Sequence, residues 1–357
     1  MKTIPLPQPR LYFVNAAVDC ALIGGASLLT FVLLRLLYTA DRTPAVITLG
    51  AQLLWLGNWP HFAASSYRLY HTRANVAQYP VTALVIPFVV LAGMAGALLS
   101  PLGIAPYFVK VFQIWSPYHF SGQTLGITLI YARRSGFKVG PWERRALSGF
   151  IYSTFLVGTV RAEVGTTPSS FWGIPTQPLG LPAWAPLAAQ GFMLVAALAF
   201  IVLAARWCIR NRRPLPAIVL LPAATQFVWF VFSAGWASYQ EFVPFFHSLQ
   251  YLLVAWSVQL KETMDVTGAR PSWRYVLGET GRWGALIVAG GALLFFVLPR
   301  LLAVAGVELA FATGVVLCGV QIHHFFVDGV IWKLKNKKVA APLMVNIEDL
   351  VAPARAA

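Results

Sequence analysis

The sequence has few charged residues. Of its 357 residues only 11% are Asp, Glu, Lys or Arg, whereas 58% are hydrophobic, and the mean hydropathy is +0.68. A soluble domain carries about 25% charged residues, so a water-soluble fold is excluded. Intrinsic disorder is excluded as well, because disordered chains are poor in apolar residues. We therefore expect most of the chain to lie in a lipid bilayer.

Several chemical signatures are missing too. The three scattered cysteines, Cys20, Cys208 and Cys318, make neither a disulfide framework nor a paired metal site, and we interpret them as packing residues. No Gly-rich nucleotide-binding motif is present, so a reductant would have to come from an electron-donor partner protein. The Glu-x-x-His spacing of soluble di-iron bundles is absent, which disfavours that class of site.

Ten apolar stretches approach the length of about 20 residues that crosses a bilayer. They are residues 14–38, 44–66, 80–100, 106–131, 146–162, 183–206, 215–235, 242–261, 283–303 and 305–330. Because the fifth is short and the last two are nearly continuous, nine or eleven crossings are alternatives. Irregular backbone is not tolerated in hydrocarbon, so the stretches predict an all-α, polytopic membrane bundle of about ten helices.

Basic residues are unevenly distributed along this bundle. If the N-terminus is cytoplasmic and the crossings alternate, 22 of the 27 Lys and Arg residues fall on the cytoplasmic side and 5 near the outer side. Cytoplasmic loops carry an excess of Lys and Arg, so both termini are predicted to be cytoplasmic. We expect one transmembrane domain over residues 1–338, a short cytoplasmic tail over 339–357, and a bacterial inner membrane.

The net charge of +15 is at first sight typical of a nucleic-acid-binding protein. The basic residues, however, flank apolar stretches and form no soluble patch, so we expect no nucleic-acid partner. Anionic lipid headgroups suit such residues better.

Five of the six histidines fall inside the predicted spans, where an ionisable side chain is costly and needs a partner or a purpose. They are His61, His119, His247, His323 and His324. A proline precedes three of them by one to three residues, and we expect it to free a backbone carbonyl and bend the helix. The spans with histidines all run in the same direction, and at ~1.5 Å per residue the histidines lie in one band of depth. If these helices are neighbours, the rings can meet.

Polar side chains lie one helical turn from these histidines. Gln123 follows His119 by four residues and Asp328 follows His324 by four, so each pair shares a helix face. Histidines that bind metals commonly donate their second N–H to such a neighbour. We therefore predict the five histidines as metal ligands, and Asp328, Gln123 and Tyr118 as catalytic, proton-handling groups.

Imidazole suits iron, copper, zinc and nickel. Several histidines with a carboxylate and no cysteine favour a transition metal, and we expect iron, with copper, zinc and a bis-histidine haem as alternatives. Because His323 and His324 point about 100° apart on a helix, only one of them is expected at a given metal. A structural alternative is that the histidines bond between helices and that Asp328 pairs with Arg68 or Lys333.

The segments PYHFSGQTLG and HHFFVDGVIWKLK combine histidines with polar neighbours. In carrying several histidines on multi-pass helices, the chain resembles histidine-rich membrane oxygenases and desaturases, although their HxxxH and HxxHH boxes are missing. It is similar to the membrane carotenoid-cleaving dioxygenases of bacteria in having dispersed histidines. This resemblance concerns the placement of histidines and covers no stretch of sequence.

These observations predict a membrane-embedded, His-ligated metal enzyme. The expected activity is that of an oxidoreductase or oxygenase acting on a lipid-soluble substrate, such as an acyl lipid, an isoprenoid or a carotenoid, which enters from the bilayer. A hydrolytic reaction is possible if the metal activates water. A proton-coupled transporter and a haem-binding or structural subunit of a membrane complex are the alternatives.

Overall fold

The structure is a computed structural model and describes residues 10–37, 43–333 and 341–351. Its helices are α1 Ala16–Leu37, α2 Pro44–Leu53, α3 Asn58–Tyr70, α4 Arg73–Gln78, α5 Val81–Leu99, α6 Ala105–Arg134, α7 Pro141–Ala162, α8 Ala185–Asn211, α9 Ala217–Phe232, α10 Ala237–Gln240, α11 Val243–Thr267, α12 Trp273–Val304, α13 Leu309–Ile331 and α14 Ile347–Val351. The strands β1 Ser169–Phe171 and β2 Ile174–Thr176 form one antiparallel hairpin between α7 and α8.

Each of the ten predicted stretches overlaps a long helix or, for 44–66, a pair of helices. The all-α prediction is therefore confirmed, with the short hairpin as an addition. Within the described residues five helices, namely α1, α5, α8, α12 and α13, are long and apolar enough to cross a membrane, which indicates an integral membrane protein. The number of about ten crossings and the side of the termini stay predictions.

The second predicted stretch is broken at residues 54–57. At Gly57 a Cβ would lie 2.9 Å from Cδ2 of Phe245, so the missing side chain lets the start of α3 approach α11. Pro60 and Pro244 lie in the first turns of α3 and α11, where no backbone donor is needed. Of the three prolines expected to bend a helix, only Pro117 lies inside one, so the bending prediction is wrong for the other two: they start helices.

Helix α11 forms the centre of the bundle. It contacts α1, α3 and α12, and it is buried along most of its length, including His247, Gln250 and Gln259. Polar side chains buried in this way are stable only where other groups form hydrogen bonds with them. α3, α6 and α11, which are not among the helices apolar enough to cross a membrane on their own, each have a buried face that carries polar residues.

The two described termini meet at one end of the bundle, which we call the terminal face. The backbone N–H of Ile347 donates to the carbonyl of Phe13 over 2.8 Å, and the Asn346 amide donates to the carbonyl of Tyr12 over 2.7 Å. Leu343 is fully buried there. The described part of the predicted tail, 341–351, is thus packed against the bundle, while the division into domain and tail stays a prediction.

The opposite end of the bundle, which we call the hairpin face, carries the β-hairpin and the start of α13. The hairpin lies in the connection between α7 and α8, and Ile174 of β2 is fully buried in a cluster with residues of α13. The Glu308 carboxylate accepts hydrogen bonds from the backbone N–H groups of Ala310 and Phe311. These bonds cap α13 and lower the pKa of Glu308 below its ordinary value.

Candidate metal centre

Four helices of shared direction bring four histidine rings together inside the bundle. His61 lies on α3, His119 on α6, His247 on α11 and His324 on α13, and all four helices run from the hairpin face to the terminal face. The ring centroids of His61 and His324 are 4.5 Å apart, and those of His119 and His324 are 4.7 Å apart. Residues separated by more than 260 positions in the chain thus form one cluster.

Three of these rings point their Nε2 atoms at each other. The distance from His324 Nε2 is 2.8 Å to His61 Nε2 and 3.1 Å to His119 Nε2. Asp328 Oδ2 is 3.4 Å from His324 Nε2 and 3.9 Å from His119 Nε2. The ligand atoms of these four residues all lie within 4.8 Å of one another. We call them the His/Asp group.

The fourth ring, His247, lies beside this group. Its centroid is 5.2 Å from that of His61 and 5.4 Å from that of His119, and its face is stacked on Phe120 at 3.7 Å. Gln123 donates its amide N–H to the backbone carbonyl of His247 over 2.8 Å. Gln123 therefore acts on the backbone that carries His247, and it contacts none of the group's ligand atoms in the described residues.

Asp328 is held by hydroxyl groups from two other helices. Ser65 Oγ donates to Asp328 Oδ1 over 2.9 Å, and Tyr251 Oη donates to the same oxygen over 3.4 Å. The indole N–H of Trp332 in turn donates to Tyr251 Oη over 3.2 Å. This leaves Oδ2 facing the histidines, so Asp328, which the sequence predicts as a proton-handling group, lies among the candidate ligands themselves.

The remaining predicted site residues lie elsewhere. His323 is on another face of α13, where its Nε2 contacts Tyr70 Oη at 3.2 Å, so its prediction as a ligand of this group is not supported by its position. Tyr118 is 49% exposed and packs against Tyr152. The alternative pairing of Asp328 with Arg68 is not found, because Arg68 binds Glu262 over 2.8 Å.

The protons of the His/Asp group pose an electrostatic problem. A neutral imidazole carries one N–H, and Nδ1 of His61 and of His324 is buried without a protein hydrogen-bond partner. If the protons are on Nδ1, three nitrogen lone pairs and a carboxylate converge; if they are on Nε2, N–H groups point at each other. A cation at the centre binds all four ligand atoms at once, whereas without one a mixed set of tautomers is needed, in which an Nε2–H of one ring donates to the Nε2 lone pair of another.

The distances suit such an ion. Ligands about 2.1 Å from a metal are about 3.0 Å apart at right angles and about 3.4 Å apart in a tetrahedron. The closest separations within the group, 2.8, 3.1 and 3.4 Å, fall near these values. His61 and His324 are almost completely buried, whereas the side chains of His119 and Asp328 are each 8% exposed. The group is thus open on one side only.

That open side faces a cavity of about 300 Å³, which we call the groove. It extends between α6, α11 and α13 towards the terminal face. Its lining comprises Trp115, Tyr118, His119, Gly122, Gln123, Gly126, Ile127, Ile130, Tyr152, Tyr251, Val254, Phe325, Asp328, Gly329, Trp332, Lys333 and Leu343. The predicted groups Tyr118 and Gln123 therefore line the space in front of the group without touching it.

A second cavity, of about 550 Å³, opens on the hairpin face. Phe120 is part of its lining, and the ring of Phe120 is the one stacked on His247. The ion pair of Lys110 and Glu163, with N–O separation 2.8 Å, lies at this cavity. The histidine cluster is thus situated between two cavities, and Phe120 separates it from the second.

Two features of the site were not predicted from the sequence. Tyr251 stacks on His61 at 4.1 Å between centroids, and the indole N–H of Trp332 donates to Tyr251 Oη. The i, i+4 spacing from His247 to Tyr251 was a usable signal for the tyrosine, but nothing in the sequence pairs α13 with α11.

Comparison with protein-family models, curated proteins and solved structures finds no match to this chain.

Proposed function

We propose that this protein is a membrane-embedded metal enzyme that holds one transition-metal ion between His61, His119, His324 and Asp328. The observation that carries the proposal is the convergence of four ligand atoms within 4.8 Å in a nearly closed interior. Ionisable residues inside a bundle are costly and are retained for function. Three imidazoles from separate helices meeting at a carboxylate go beyond what helix packing requires.

Iron is the metal we propose. Histidine and carboxylate ligands without cysteine are typical of non-haem iron, while copper and zinc are compatible alternatives. A bis-histidine haem fits less well, because its axial nitrogens are roughly 4 Å apart on opposite sides of the porphyrin. Here the nearest nitrogens are 2.8 Å apart and the rings are in edge contact, which leaves no room for a macrocycle between them.

The protein's own residues would orient the ion and its surroundings. Ser65 and Tyr251 bind one oxygen of Asp328 and thereby direct the other towards the metal. Such outer partners tune metal sites strongly. His247, adjacent but outside the four, is the natural additional ligand if the centre rearranges on binding. A bound iron supplies the ability to bind and activate O₂.

The substrate we propose is lipid-soluble, and the reaction an oxidation by O₂. The groove in front of the group is lined mainly by apolar and aromatic side chains, so it favours an apolar molecule. Cleavage of a carbon–carbon double bond by O₂ into two carbonyl groups balances without a reductant. Hydroxylation or desaturation by O₂ consumes two further electrons, which a donor protein would supply.

Metal analysis of the purified protein tests this function. We expect close to one iron per chain by mass spectrometry, and loss of most of it in His61→Ala, His119→Ala and His324→Ala. His323→Ala is the matched control, since it removes a histidine adjacent to His324 that points away from the group. Absence of stoichiometric iron, copper and zinc, or equal metal content in all four variants, would overturn the proposal.

A proton-coupled transporter is the second candidate, favoured by the two cavities on opposite sides of the histidine cluster. A relay through His and Asp side chains, with Phe120 as the barrier, is a recognised membrane arrangement. Flux measurements in liposomes distinguish the candidates. A pH-driven flux abolished by His324→Ala in metal-free protein supports transport, and its absence favours the enzyme.

A further inference from the structure

The groove in front of the His/Asp group is elongated along the helices. On α6 its lining runs from Trp115 to Ile130, about 22 Å at ~1.5 Å per residue. On α13 it runs from Phe325 past Asp328 to Lys333. The His/Asp group therefore lies partway along the groove, and one end of the groove is near the terminal face. A narrow molecule lying in it would be parallel to the helices.

Missing side chains create this space. α6 and α13 touch at Trp115, whose ring is 4.8 Å from that of Phe326. Beyond that contact the lining includes Gly122, Gly126 and Gly329, and a Cβ added at Gly126 or at Gly329 would meet no atom within 4 Å. Gly126 and Gly329 thus face open space, and no close backbone contact requires them.

The groove opens sideways. Tyr118 is 49% exposed and Gly329 is exposed, so the margin of the groove lies on the lateral surface of the bundle. In a membrane-spanning protein this surface meets lipid, and an apolar chain reaches the groove without passing through water. A groove with an apolar lining and a lateral opening suits a molecule that is already dissolved in the bilayer.

Charged side chains line the groove at two points, partway along it and at one end. Among the lining residues Asp328 and Lys333 are the charged ones besides the titratable histidine, and Asp328 is bound by Ser65 within the group. Lys333 is exposed at the far end, where an amphiphile's headgroup would lie at the membrane surface. A lysine at that point favours an anionic headgroup.

We infer that the groove binds a single-chain amphiphile with an anionic headgroup, a carboxylate or a phosphate. The headgroup lies at Lys333, the chain follows the glycines of α6, and carbons in the middle of the chain face His119 and Asp328. This inference rests on the proposed function for the reaction, which would then occur at a mid-chain carbon. Binding itself requires only the groove and Lys333.

Photo-crosslinking in nanodiscs tests the inference. The probe is a long-chain fatty acid with a diazirine in mid-chain, and we expect it to label α6 between Trp115 and Ile130. Gly126→Leu fills the groove and should lower labelling about tenfold or more, the cost of roughly one poorly accommodated side chain. Gly191→Leu is the matched control, because Gly191 lies on the exposed surface of α8 with no atom within 4 Å of an added Cβ.

A second arm tests the charge. Lys333→Glu should lower labelling by the fatty-acid probe and raise labelling by a long-chain alkylamine with the same diazirine. Lys333 is exposed, so this variant folds even if Gly126→Leu does not. Competition by unlabelled fatty acid and by unlabelled alkyl phosphate then identifies the headgroup. Labelling unaffected by filling the groove, or an unchanged preference in Lys333→Glu, overturns the inference.

The test separates this inference from the metal proposal. Labelling is measured in metal-free wild-type protein and in His324→Ala as well. If labelling persists there and metal analysis fails, the amphiphile site stands and the proposed enzyme does not. If metal binds but the mid-chain probe never labels α6, the metal centre stands and its substrate class is another.

Discussion

Asp328 has one oxygen held by hydroxyls and the other within 3.4 Å of His324 Nε2 and 3.9 Å of His119 Nε2. Asp328→Asn keeps the size and one oxygen but loses the charge. We expect it to weaken metal binding by about 10–100-fold or more, because ligands and their close partners contribute at least that much. Metal titration of apo-protein measures the change.

The control for this prediction is Asp265→Asn. Asp265 is an exposed carboxylate on α11 that forms an ion pair with Lys261. Its removal should leave the dissociation constant unchanged. If the two variants bind metal equally well, the carboxylate of Asp328 is not a ligand and the histidines hold the metal without it.

At the scale of single residues, the sequence predicts which side chains share a helix face. It does not predict how close each histidine ring lies to the centre of the group. The four-residue spacing of His324 and Asp328 correctly predicts a shared face, and the ~100° offset correctly separates His323 from it. The sequence could not rank His247 below the other three. Its distance from the centre depends on stacking with Phe120 and on how far α11 is rotated, which only packing decides.

The packing of α3 against α12 determines where His61 lies. At Gly291 of α12 an added Cβ would be 2.7 Å from the backbone carbonyl carbon of Trp59, so Gly291→Ala pushes the start of α3 away. Such overpacking costs about 1–3 kcal/mol. We expect a lower melting temperature and reduced metal content in this variant, measured by thermal-shift assay and mass spectrometry.

Gly284 lies on the same helix and gives the matched comparison. A Cβ there meets no atom within 4 Å, and alanine is a better helix former than glycine by about 1 kcal/mol. Gly284→Ala should therefore be neutral or stabilising. Loss of stability in both variants would show that glycine is needed for helix flexibility and would contradict the contact argument.

Helices were predictable from apolar length because a bilayer leaves few alternatives for the backbone. The break between α2 and α3 was not, since it depends on the approach of Phe245 to Gly57 and has no local signal other than the glycine. α3, α6 and α11 carry polar residues. They were recognised as apolar stretches because most of the residues beside the polar ones in the sequence are apolar. Their position in the interior follows from the side chains they must satisfy.

At the scale of the whole molecule, Arg134 holds the two ends of the chain together. Its guanidinium donates to the carbonyls of Arg10, Tyr12, Leu343 and Val345 over 2.7 to 3.1 Å. A lysine side chain has a single nitrogen and cannot form all four of these hydrogen bonds. Arg134→Lys should therefore release the segment 341–351, at a cost of about 1–3 kcal/mol for the unpaired buried groups.

Limited proteolysis measures this release. Cleavage within 341–351 should be faster in Arg134→Lys than in wild type, while the helices stay protected. Arg133→Lys is the control, since Arg133 is the exposed neighbour on the same helix. Equal cleavage rates in the two variants would mean that Leu343 and Leu350, buried at this face, retain the segment without Arg134.

Contact between the two termini also constrains the topology. The described segments near the two termini bind each other at one face, which is the arrangement expected for the even number of crossings that the sequence predicts. The excess of basic residues on that side predicts that it is cytoplasmic.

We expect a fluorescent protein fused to the C-terminus to fluoresce, and alkaline phosphatase inserted within 177–183, at the hairpin face, to be active. Insertion within 135–140, at the terminal face, should give inactive phosphatase, because that enzyme folds only outside the reducing cytoplasm. Active phosphatase at the C-terminus would reverse the orientation, and the groove's anionic headgroup would then belong to the outer leaflet.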